Sequence, residues 1–491
     1  MKKLVLPLLI IFLLSMNCEK NENLISILYF TDAHEIAPVN DEYGNRGGVA
    51  RLKTIVDQIK SNNEAFLVFG GDLAGGTLFG GIYKGFPMVE AFNQIPLQIA
   101  NFGQHDFDFG VDNTIKLIQN SKFTWLTSNI KDSEGNNFYK LPDHIIFDTL
   151  GIKVGFIGLM DAIETSVQDD RIRQIDLIDA AKKTTEILTN KGVDYIIAIT
   201  QTTFSTNEAL LEKVAAIDVI LTEEISENRT NMLYVGSKPI ISTCGNMGSV
   251  AEIKLQKAGN KIMPSIWIYP LDTTIKEDPA LTKLQKKYVD KLEKDLSTVL
   301  SIAKADFLLQ GSRQRENALA NLVADSFRDY YQADIALMNG GGLRANILKG
   351  NVTLKNAYAV LPFGNTICLV NIKGNEIINL LKAGMVNMPK QGGDFLQVSG
   401  LSYSFNFKVD GQPQITSVEV NGKPIEPDKS YKVALSNFIL FGNGDFDPIP
   451  LDRLIFPVKK SPKDVEVLIK FLTKNPTITP HLHKRINVLK G

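Results

Sequence analysis

The chain has 491 residues, of which 44% are hydrophobic and 22% are charged, and its formal net charge is −1 at pH 7. This length exceeds that of one ordinary domain, so we expect about two or three domains. The near-neutral charge offers no general electrostatic attraction to polymeric nucleic acid, which we exclude as a partner, but it is compatible with a local basic pocket for a phosphate.

The N-terminal segment is typical of an export signal. Lys2 and Lys3 precede an apolar run, residues 4–14, which is too short to span a bilayer and is followed by Cys18. The segment resembles a bacterial lipoprotein signal, in which the cysteine becomes the lipidated first residue. We therefore predict export to the bacterial cell envelope and membrane attachment through a lipid on Cys18, with a polar linker up to residue 23. Cleavage near Cys18 without a lipid is the alternative.

Residues 24–272 alternate short apolar runs with helical segments, which indicates an α/β domain with its site at the carboxyl ends of strands. The apolar runs predict strands at 24–30, 65–71, 97–103, 123–130, 153–159, 193–200 and 218–222. Helical periodicity predicts helices at 49–60 and 179–191.

Polar residues stand at the ends of three of these predicted strands. The segments FTDAH (30–34), GGDLAGG (70–76) and GQHDFD (103–108) contain Asp32, His34, Asp72, Gln104, His105 and Asp106. Carboxylates and histidines in this order suit a two-cation site, where a bridging carboxylate holds ions that polarise a phosphate and activate water. The ordered set resembles the metal-binding motifs of calcineurin-type phosphoesterases.

A charged segment from 273 to 305 predicts a linker helix between two domains. Within it Tyr288, Leu292, Leu296 and Val299 are spaced for one buried stripe. A second domain of mixed strands and helices follows, and it begins with a predicted helix at 316–331.

The chain has three cysteines, and two of them, Cys244 and Cys368, lie beyond the N-terminal segment. Both occupy apolar, strand-like contexts in different predicted domains. We therefore predict two buried thiols, with a disulfide between them in an oxidising compartment as the alternative.

Four strings in the second domain carry the most specific signal in the chain. They are ENALANLVADSFR (316–328), MNGGGLRANI (338–347), LPFGNT (361–366) and FLQVSGL (395–401). Together with the polar residues of the first domain they resemble the 5′-nucleotidase family, which includes ecto-5′-nucleotidases and periplasmic UDP-sugar hydrolases. The resemblance implies an α/β fold: an N-terminal calcineurin-like four-layer metallophosphoesterase domain (24–272), a linker helix (273–305) and an α/β 5′-nucleotidase C-terminal domain (306–491). It also implies hydrolysis of phosphate from nucleotides with a divalent metal.

The resemblance assigns roles to residues of the first domain. Asp32 and His34 match ligands of a first metal, and Asp72 matches the bridging carboxylate. His105 and Asp106 match the catalytic histidine–acid pair beside the leaving oxygen.

Other positions depart from the family pattern. Gln104 stands in place of a metal-binding asparagine, Gln201 in place of a later histidine, and Glu224 and Ser226 in place of two more. A second metal would then have oxygen ligands only, namely Asp72, Gln104, Gln201 and Glu224. Such a site suits manganese, magnesium or calcium better than zinc. Three alternatives stay open: two harder cations with slow hydrolysis, one cation at the first-metal ligands, or no cation.

The resemblance also implies a nucleotide or nucleoside in the second domain. Guanidinium groups of Arg313 and Arg344 suit phosphate oxygens, and the glycine run that includes Gly341 lets the backbone approach a ligand closely. Asn339 can both donate and accept, as a base or phosphate contact requires.

Three further residues of the second domain match contacts to the nucleoside. Phe363 and Phe438 match two rings that sandwich the base, where stacking tolerates different bases. Asp445 reaches the position of a ribose-binding aspartate only with a one-residue shift.

Two hypotheses of function follow from these patterns. The leading one is an exported, lipid-anchored nucleotide phosphohydrolase of 5′-nucleotidase type. The alternative is a catalytically inactive surface lipoprotein that binds nucleotides or adheres to a partner. The sequence leaves the preferred base, the number of phosphates and the oligomeric state open.

Overall fold

The computed structural model describes residues 24–41, 43–161, 163, 169–226, 228–259 and 261–489. The predicted signal and Cys18 lie outside these residues. The chain forms two compact units, one up to Tyr288 and one from Val289, while the domain bounds drawn at 272 and 305 stay predictions. Within the described residues, no helix combines the length and the apolar character needed to cross a membrane.

The first unit is built from strands with helices between many of them. Its strands are β1 (Leu24–Phe30), β2 (Val39–Asp41), β3 (Gly44–Arg46), β4 (Glu64–Phe69), β5 (Leu97–Ala100), β6 (Thr124–Trp125), β7 (Ile130–Asp132), β8 (His144–Thr149), β9 (Ile152–Met160), β10 (Ile172–Gln174), β11 (Tyr195–Gln201), β12 (Val219–Thr222), β13 (Asn231–Val235), β14 (Lys238–Ser242), β15 (Ser249–Ala258) and β16 (Lys261–Pro270). Its helices are α1 (Val49–Asn62), α2 (Leu78–Tyr83), α3 (Phe86–Phe92), α4 (Val111–Asn120), α5 (Leu177–Asn190) and α6 (Phe204–Lys213). The strand predicted at 123–130 is wrong in its extent, because only the short β6 and the first residue of β7 fall there.

Two six-stranded sheets form the framework of this unit, in the orders β16-β15-β1-β4-β5-β6 and β13-β14-β12-β11-β9-β8. β1, β4, β5 and β6 run parallel, as do β9, β11, β12 and β14. Apolar side chains of both sheets, such as Ile27 and Val68 of one and Ile197 and Leu221 of the other, share one buried core. Helices α5 and α6 pack on the other face of the second sheet, and α1 contacts β4 of the first. The strands are almost continuously apolar because both faces of each sheet are covered.

A long helix, α7 (Pro279–Leu296), contains the division between the two units. It buries Leu281 near its start and Leu296 at its end. The predicted stripe is wrong at Val299, which is 49% exposed. The helix stops at Leu296, and Val299 opens the strand β17 (Val299–Ala303), where it faces outward.

The second unit continues with strands and helices around three smaller sheets. Its further strands are β18 (Ile335–Asn339), β19 (Gly350–Thr353), β20 (Ile367–Lys373), β21 (Leu396–Ser399), β22 (Leu401–Phe407), β23 (Pro413–Val420), β24 (Lys423–Pro424), β25 (Ser430–Ser436), β26 (Thr477–Ile478) and β27 (Ile486–Val488). Its helices are α8 (Ala318–Tyr331), α9 (Leu354–Val360), α10 (Gly374–Ala383), α11 (Asn437–Leu440) and α12 (Asp464–Lys474). The sheet orders are β19-β17-β26, β20-β25-β18-β21 and β24-β23-β22-β27.

Helix α8 is the central helix of this unit and packs against β18, β21 and α12. Its predicted start is two residues early, because Asn317 is the N-cap and accepts a hydrogen bond from Ala320 N–H at 3.0 Å. It ends at Gln332, which takes a left-handed conformation with φ of 48°.

Hydrogen bonds join the C-terminal strand to α8 and to Glu316, which lies two residues before α8. The guanidinium of Arg485 donates to both carboxylate oxygens of Asp325 at 2.8 and 2.9 Å. Glu316 accepts the backbone N–H groups of His483 and Arg485 at 2.7 and 3.0 Å. Charge-assisted bonds of this kind fix β27 beside β22.

The two cysteines of the described residues follow the prediction. Cys244 lies in the first unit and Cys368 in the second, and both are buried. Neither forms a disulfide.

Candidate functional site

Two carboxylates and an imidazole cluster beyond the ends of β1 and β4. These strands are parallel neighbours with Phe30 opposite Phe69, so the loops that follow them meet at one edge of the sheet. Asp32 and His34 come from the first loop and Asp72 from the second. All three side chains are buried, and each offers a ligand atom within 4.8 Å of the others.

The backbone of this cluster is strained. Asp32 and Asp72 have φ of 53° and 65°, in the left-handed region that costs a non-glycine residue about 1 kcal/mol or more. The two loops hold each other in place, because Asp32 N–H donates to Gly71 O at 3.1 Å and Ala33 N–H donates to Asp72 O at 2.9 Å. A strained backbone persists only where surrounding contacts hold it in place, and such positions are common at functional sites.

The loop after β5 directs the carboxylate of Asp72. His105 N–H donates to Asp72 Oδ1 at 2.8 Å. Gly103 permits this approach, because a Cβ at that position would overlap the Asp72 carboxylate. Its φ of −112° is open to any residue, so the requirement for glycine comes from space alone.

Asp106 anchors the same loop. Its carboxylate accepts the N–H groups of Asp72 (3.0 Å), Gly103 (3.0 Å), Leu73 (2.9 Å) and Ala74 (3.3 Å). Burial raises the pKa of Asp106 to about 6, against the lowering effect of these donors. The carboxylate of Asp106 is thus bonded to these backbone groups rather than to the His105 ring. Its catalytic role stays a prediction.

Asp108 is the partner that His105 has in the structure. His105 Nδ1 lies 2.8 Å from Asp108 Oδ2, because the 3₁₀ turn Gln104–Phe107 brings residues three apart to one side. Burial lowers the pKa of His105, but the hydrogen bond and charge of Asp108, with nearby carboxylates, raise it overall. The His105 ring lies 5.4 Å from that of His34, so this imidazole stands beside the cluster of Asp32, His34 and Asp72.

The carboxylates of this region repel each other. Burial and the charges of Asp106 and Asp32 raise the pKa of Asp72 well above its usual value. Burial and the charge of Asp32 raise the pKa of Glu223 to about 7. A divalent cation offsets such a concentration of negative charge, and a set of carboxylate oxygens with one imidazole nitrogen fits one.

A cleft of about 140 Å³ opens at the ends of β11 and β12. Its lining residues are Gln104, Asp161, Gln201, Thr202, Thr203 and Glu223. Gln201 Nε2 donates to Thr31 Oγ1 at 3.1 Å, and its buried Oε1 has no hydrogen-bond partner among the residues that the structure describes. The cleft therefore gathers two of the predicted oxygen ligands, Gln104 and Gln201.

The two consecutive glutamates after β12 take different positions. Glu223 lines the cleft, whereas Glu224 donates its backbone N–H to Asp32 Oδ2 at 3.1 Å and has a buried Oε2. The ligand role of Glu224 stays a prediction. Sequence reasoning missed Glu223 and Asp161, for which the available signal was only a position beside a strand end.

A second group of predicted residues surrounds the glycine turn after β18. Gly341 N–H donates to Gly393 O at 2.7 Å, and Gly392 N–H donates to Arg313 O at 3.1 Å. A Cβ on Gly341 would lie 2.9 Å from Gly393 O, so glycine lets these backbone segments meet. Asn339 is buried where β18 ends.

Arg344 and Phe363 form an exposed pair. The guanidinium carbon of Arg344 lies 5.5 Å from the centroid of the Phe363 ring, and Phe363 is 59% exposed. A phenylalanine held so far in solvent is available to stack on a planar ligand. Phe438 is half-buried and packs against the core of the second unit, so part of its role is structural.

Asp445 is exposed and is held by two residues that the sequence did not indicate. Its Oδ2 accepts a hydrogen bond from Asn387 Nδ2 at 2.9 Å, and its N–H donates to Asp394 Oδ2 at 3.1 Å. Asp394 follows the glycine pair that meets the turn after β18. The loops that carry Asp445 and Gly341 therefore share one neighbouring segment.

Comparison with known proteins relates both units to 5′-nucleotidases. Residues 297–449 match the family model described as the 5′-nucleotidase, C-terminal domain. The 5′-nucleotidase of Homo sapiens is 26% identical over 534 residues, which cover 95% of this chain and 91% of the human protein. The chain is thus similar to a 5′-nucleotidase over nearly its whole length. The trifunctional nucleotide phosphoesterase protein YfkN of Bacillus subtilis is also 26% identical, over 83% of this chain and 32% of that protein.

Solved structures share the fold of this chain. The 5′-nucleotidase precursor from Thermus thermophilus has a TM-score of 0.63 and 23% identity, covering 95% of this chain and 100% of that one. A putative 5′-nucleotidase from Staphylococcus aureus, in complex with alpha-ketoglutarate, has a TM-score of 0.74 and 17% identity over 95% and 100%. The predicted fold is confirmed: a calcineurin-like first unit and a 5′-nucleotidase C-terminal domain in the second.

Within this 5′-nucleotidase framework the predicted site residues fall into two groups, one in each unit. The first unit contains the cluster of Asp32, His34 and Asp72 with the neighbouring cleft. The second unit contains the glycine turn, the pair of Arg344 and Phe363, and the loop of Asp445.

Proposed function

We propose that this chain is a metal-dependent phosphoric ester hydrolase that removes phosphate from nucleotides, a 5′-nucleotidase or UDP-sugar hydrolase in type. The observation that carries the proposal is the buried cluster of Asp32, His34 and Asp72 at the ends of two parallel strands. Similarity to named 5′-nucleotidases over 95% of the chain supports the substrate class.

Asp32, His34 and Asp72 would hold a divalent cation. When bound, the cation supplies positive charge that polarises a phosphate and lowers the pKa of a water molecule. The raised pKa of Asp72 supports this role, because its buried carboxylate lies among other negative groups that a cation would balance.

His105 would hold and donate a proton. Its Nδ1 is bonded to Asp108, which leaves Nε2 to donate to a phosphate or leaving-group oxygen. Its pKa is raised, so the protonated form persists closer to neutral pH. Asp106 would act indirectly, by fixing the backbone that positions Asp72.

We further propose that the ions are manganese, magnesium or calcium rather than zinc, with one or two bound. The oxygen donors of Gln104, Gln201 and Glu223 around the cleft support this choice, since hard cations prefer oxygen ligands. Glu224 remains a candidate ligand beside them. The buried Oε1 of Gln201 is the donor atom that most directly supports a cation there.

The second unit would bind the nucleotide. Phe363, with Phe438, would stack on the base, and Arg344 and Arg313 would contact phosphate. Asn339 and Asp445 would supply polar contacts to the base, phosphate or ribose.

The decisive test is phosphate release from AMP by the purified chain with manganese, magnesium, calcium or zinc added after chelation. We expect activity with at least one of the three harder cations and its loss in Asp72→Asn. Asp112→Asn, an exposed acidic residue of α4, is the matched control and should keep full activity. No release with any cation, in a chain that still binds AMP, would contradict the proposal.

A second candidate function is nucleotide binding without catalysis. The observation that favours it is the replacement of histidine by Gln201, Glu224 and Ser226. Restoring all three histidines distinguishes the two functions. An enzyme limited by its ligands should gain zinc-dependent activity in the triple variant, whereas a protein that only binds nucleotides should gain none.

We also propose that the protein is exported and attached to a membrane of the cell envelope through a lipid on Cys18. The charged start, the apolar run and the cysteine of the N-terminal segment support it. Metabolic labelling with a fatty acid should mark the wild type and leave Cys18→Ser unlabelled. If neither protein is labelled, the lipid is excluded and the alternative of cleavage near Cys18 without a lipid is supported.

A further inference from the structure

The outer edge of the first sheet exposes two large apolar side chains. β16 is the edge strand of that sheet, and Met263 and Trp267 are 56% and 55% exposed on it. They are four residues apart in a strand, so both project from the same face. We call Met263, Trp267 and Lys261, which project from the same face, the β16 surface.

The exposure of Trp267 is exceptional in this chain. The sequence has only two tryptophans, and the other, Trp125, is 1% exposed. Lys254 Nζ lies 5.1 Å from the Trp267 ring, which is thereby held on the surface. An indole beside an ammonium group is the side-chain pair that membrane interfaces favour.

Lysines lie on both faces of the hairpin of β15 and β16. Lys261 shares the face of Met263 and Trp267, whereas Lys257 pairs with Ile262 and so lies on the opposite face, where its Nζ donates to Gly151 O at 2.7 Å. Lys254 forms an ion pair with the buried Glu252, whose carboxylate also accepts hydrogen bonds from Ser26 Oγ and Tyr269 OH. Lys261 is therefore the lysine of this hairpin that can meet an anionic surface.

The path of the chain puts this surface next to the proposed lipid. β1 begins at Leu24, which pairs with Gln256 of β15, and Gln256 pairs with Met263 of β16. Leu24 therefore enters the fold two strands, or roughly 10 Å, from Met263. Only residues 19–23 separate Cys18 from Leu24, and six steps of chain span at most about 20 Å.

A strand of a second copy fits this edge less well than a lipid surface does. Pro264 lies in the middle of β16 and has no N–H to donate. Proline on an edge strand hinders pairing with another strand. The outward side chains, rather than the backbone, are what β16 presents.

We propose that Met263 and Trp267 insert into the headgroup region of an anionic lipid bilayer while Lys261 contacts its phosphates. This inference rests on the proposed lipid anchor at Cys18. It makes the first unit lie against the membrane along one edge rather than hang freely from its linker.

The test uses tryptophan fluorescence of the full mature chain, reconstituted into vesicles of phosphatidylglycerol and phosphatidylethanolamine. Brominated acyl chains quench an indole that lies in the bilayer. We expect the wild type to be quenched and its emission to shift to shorter wavelength. Trp267→Phe should show neither effect, because Trp125 is buried in the protein core. Equal quenching of wild type and Trp267→Phe would overturn the inference.

Charge reversal tests Lys261. Lys261→Glu should lose part of the quenching, whereas Lys182→Glu, at an exposed lysine of α5, should keep it. Vesicles of phosphatidylcholine should reduce the quenching of the wild type. Fatty-acid labelling separates the two proposals. A labelled chain whose Trp267 stays in water overturns this inference alone, and an unlabelled chain overturns the anchor and this inference together.

Discussion

The imidazole of His105 lies within hydrogen-bond distance of the Asp108 carboxylate, at 2.8 Å, and we expect the two side chains to act as a pair. General acids of this kind contribute roughly 10²- to 10⁴-fold to rates. We expect Asp108→Asn to lower kcat for AMP by about 10²-fold, because the amide no longer favours the protonated imidazole. The Kd for AMP should stay unchanged. Steady-state kinetics and a binding titration measure both, with Asp112→Asn as the control, and equal kcat values in the two variants would contradict the role.

Glycine is required at position 103 only because a side chain would not fit there, so replacing it tests the geometry of the metal cluster. Gly103→Ala should displace the Asp72 carboxylate, and a displacement of about 1 Å can cost on the order of 10²-fold in rate. Titration calorimetry with manganese should show weaker binding while the melting temperature changes little. Gly81→Ala in α2 is the control, since a Cβ there meets no atom within 4 Å. Unchanged manganese affinity in Gly103→Ala would oppose this account.

The sequence predicted the clustered ligands well and their neighbours poorly. Asp32, His34 and Asp72 follow strands directly, and parallel strands bring such positions together. Asp108 was missed because adjacency in the chain suggested Asp106, whereas a 3₁₀ turn joins residues three apart. The choice between Glu223 and Glu224 depends on one backbone turn after β12, which no pattern in the sequence specifies.

At the scale of elements, helix α12 begins with a buried acid. Burial raises the pKa of Asp464 to about 7 from 3.8, against the lowering effect of Val465 N–H. Between pH 4 and pH 7 the unfolded chain releases this proton while the fold retains it, so stability falls as pH rises. We expect Asp464→Asn to match the wild type near pH 4 and to exceed it by about 2–4 kcal/mol above pH 7.

Urea unfolding across pH 4–8 measures this difference. Asp452→Asn is the control, because Asp452 is exposed and its replacement should leave the pH profile of the free energy of unfolding unchanged. A constant offset between Asp464→Asn and the wild type would show that the carboxyl does not titrate in this range.

The hydrogen-bonded ion pair of Arg485 with Asp325 of α8 leads to a second prediction at the scale of elements. Arg485→Met leaves Asp325 without its guanidinium partner, and we expect a loss of about 2 kcal/mol or more. The exposed pair of Lys474 and Asp329 is the control, and Lys474→Met should cost less than about 1 kcal/mol. Denaturant unfolding compares the two variants, and similar losses would show that the partly buried pair of Arg485 and Asp325 stabilises the fold no more than the exposed pair does.

Periodicity predicted most elements and failed where tertiary contacts decide their ends. Helical spacing continued through Val299, but the chain leaves α7 at Leu296 and pairs β17 with β19. The apolar run at 123–130 is mostly loop, although its side chains are buried. Burial alone therefore does not distinguish a strand from a loop that packs under the sheet.

For the whole molecule, the two groups of site residues lie in different units, so binding and catalysis should separate. Asp72→Asn should remove AMP hydrolysis and keep the Kd for AMP. Phe363→Ala should weaken AMP binding by about 1–3 kcal/mol, or roughly 5- to 150-fold, because it removes a stacking ring. Phe456→Ala, an exposed phenylalanine of the same unit, should bind as the wild type does. Loss of AMP binding in Asp72→Asn would contradict the separation.

The resemblance to 5′-nucleotidases could be recognised from the sequence because it rests on long strings, such as LPFGNT, that are contiguous in the chain. It could not give Asn387 and Asp394 as neighbours of Asp445, since these contacts join loops 51 and 58 residues apart in the chain. Likewise, nothing in the composition of β16 distinguishes an exposed Trp267 from a buried one. Whether a side chain is exposed depends on which other segments of the chain pack over it.

The placement of the cysteines has a consequence for how the molecule matures. Cys244 and Cys368 are buried in separate units and form no disulfide, so neither unit of the described chain waits for an oxidation step to reach its native form. Two units that need no disulfide can fold under reducing as well as oxidising conditions.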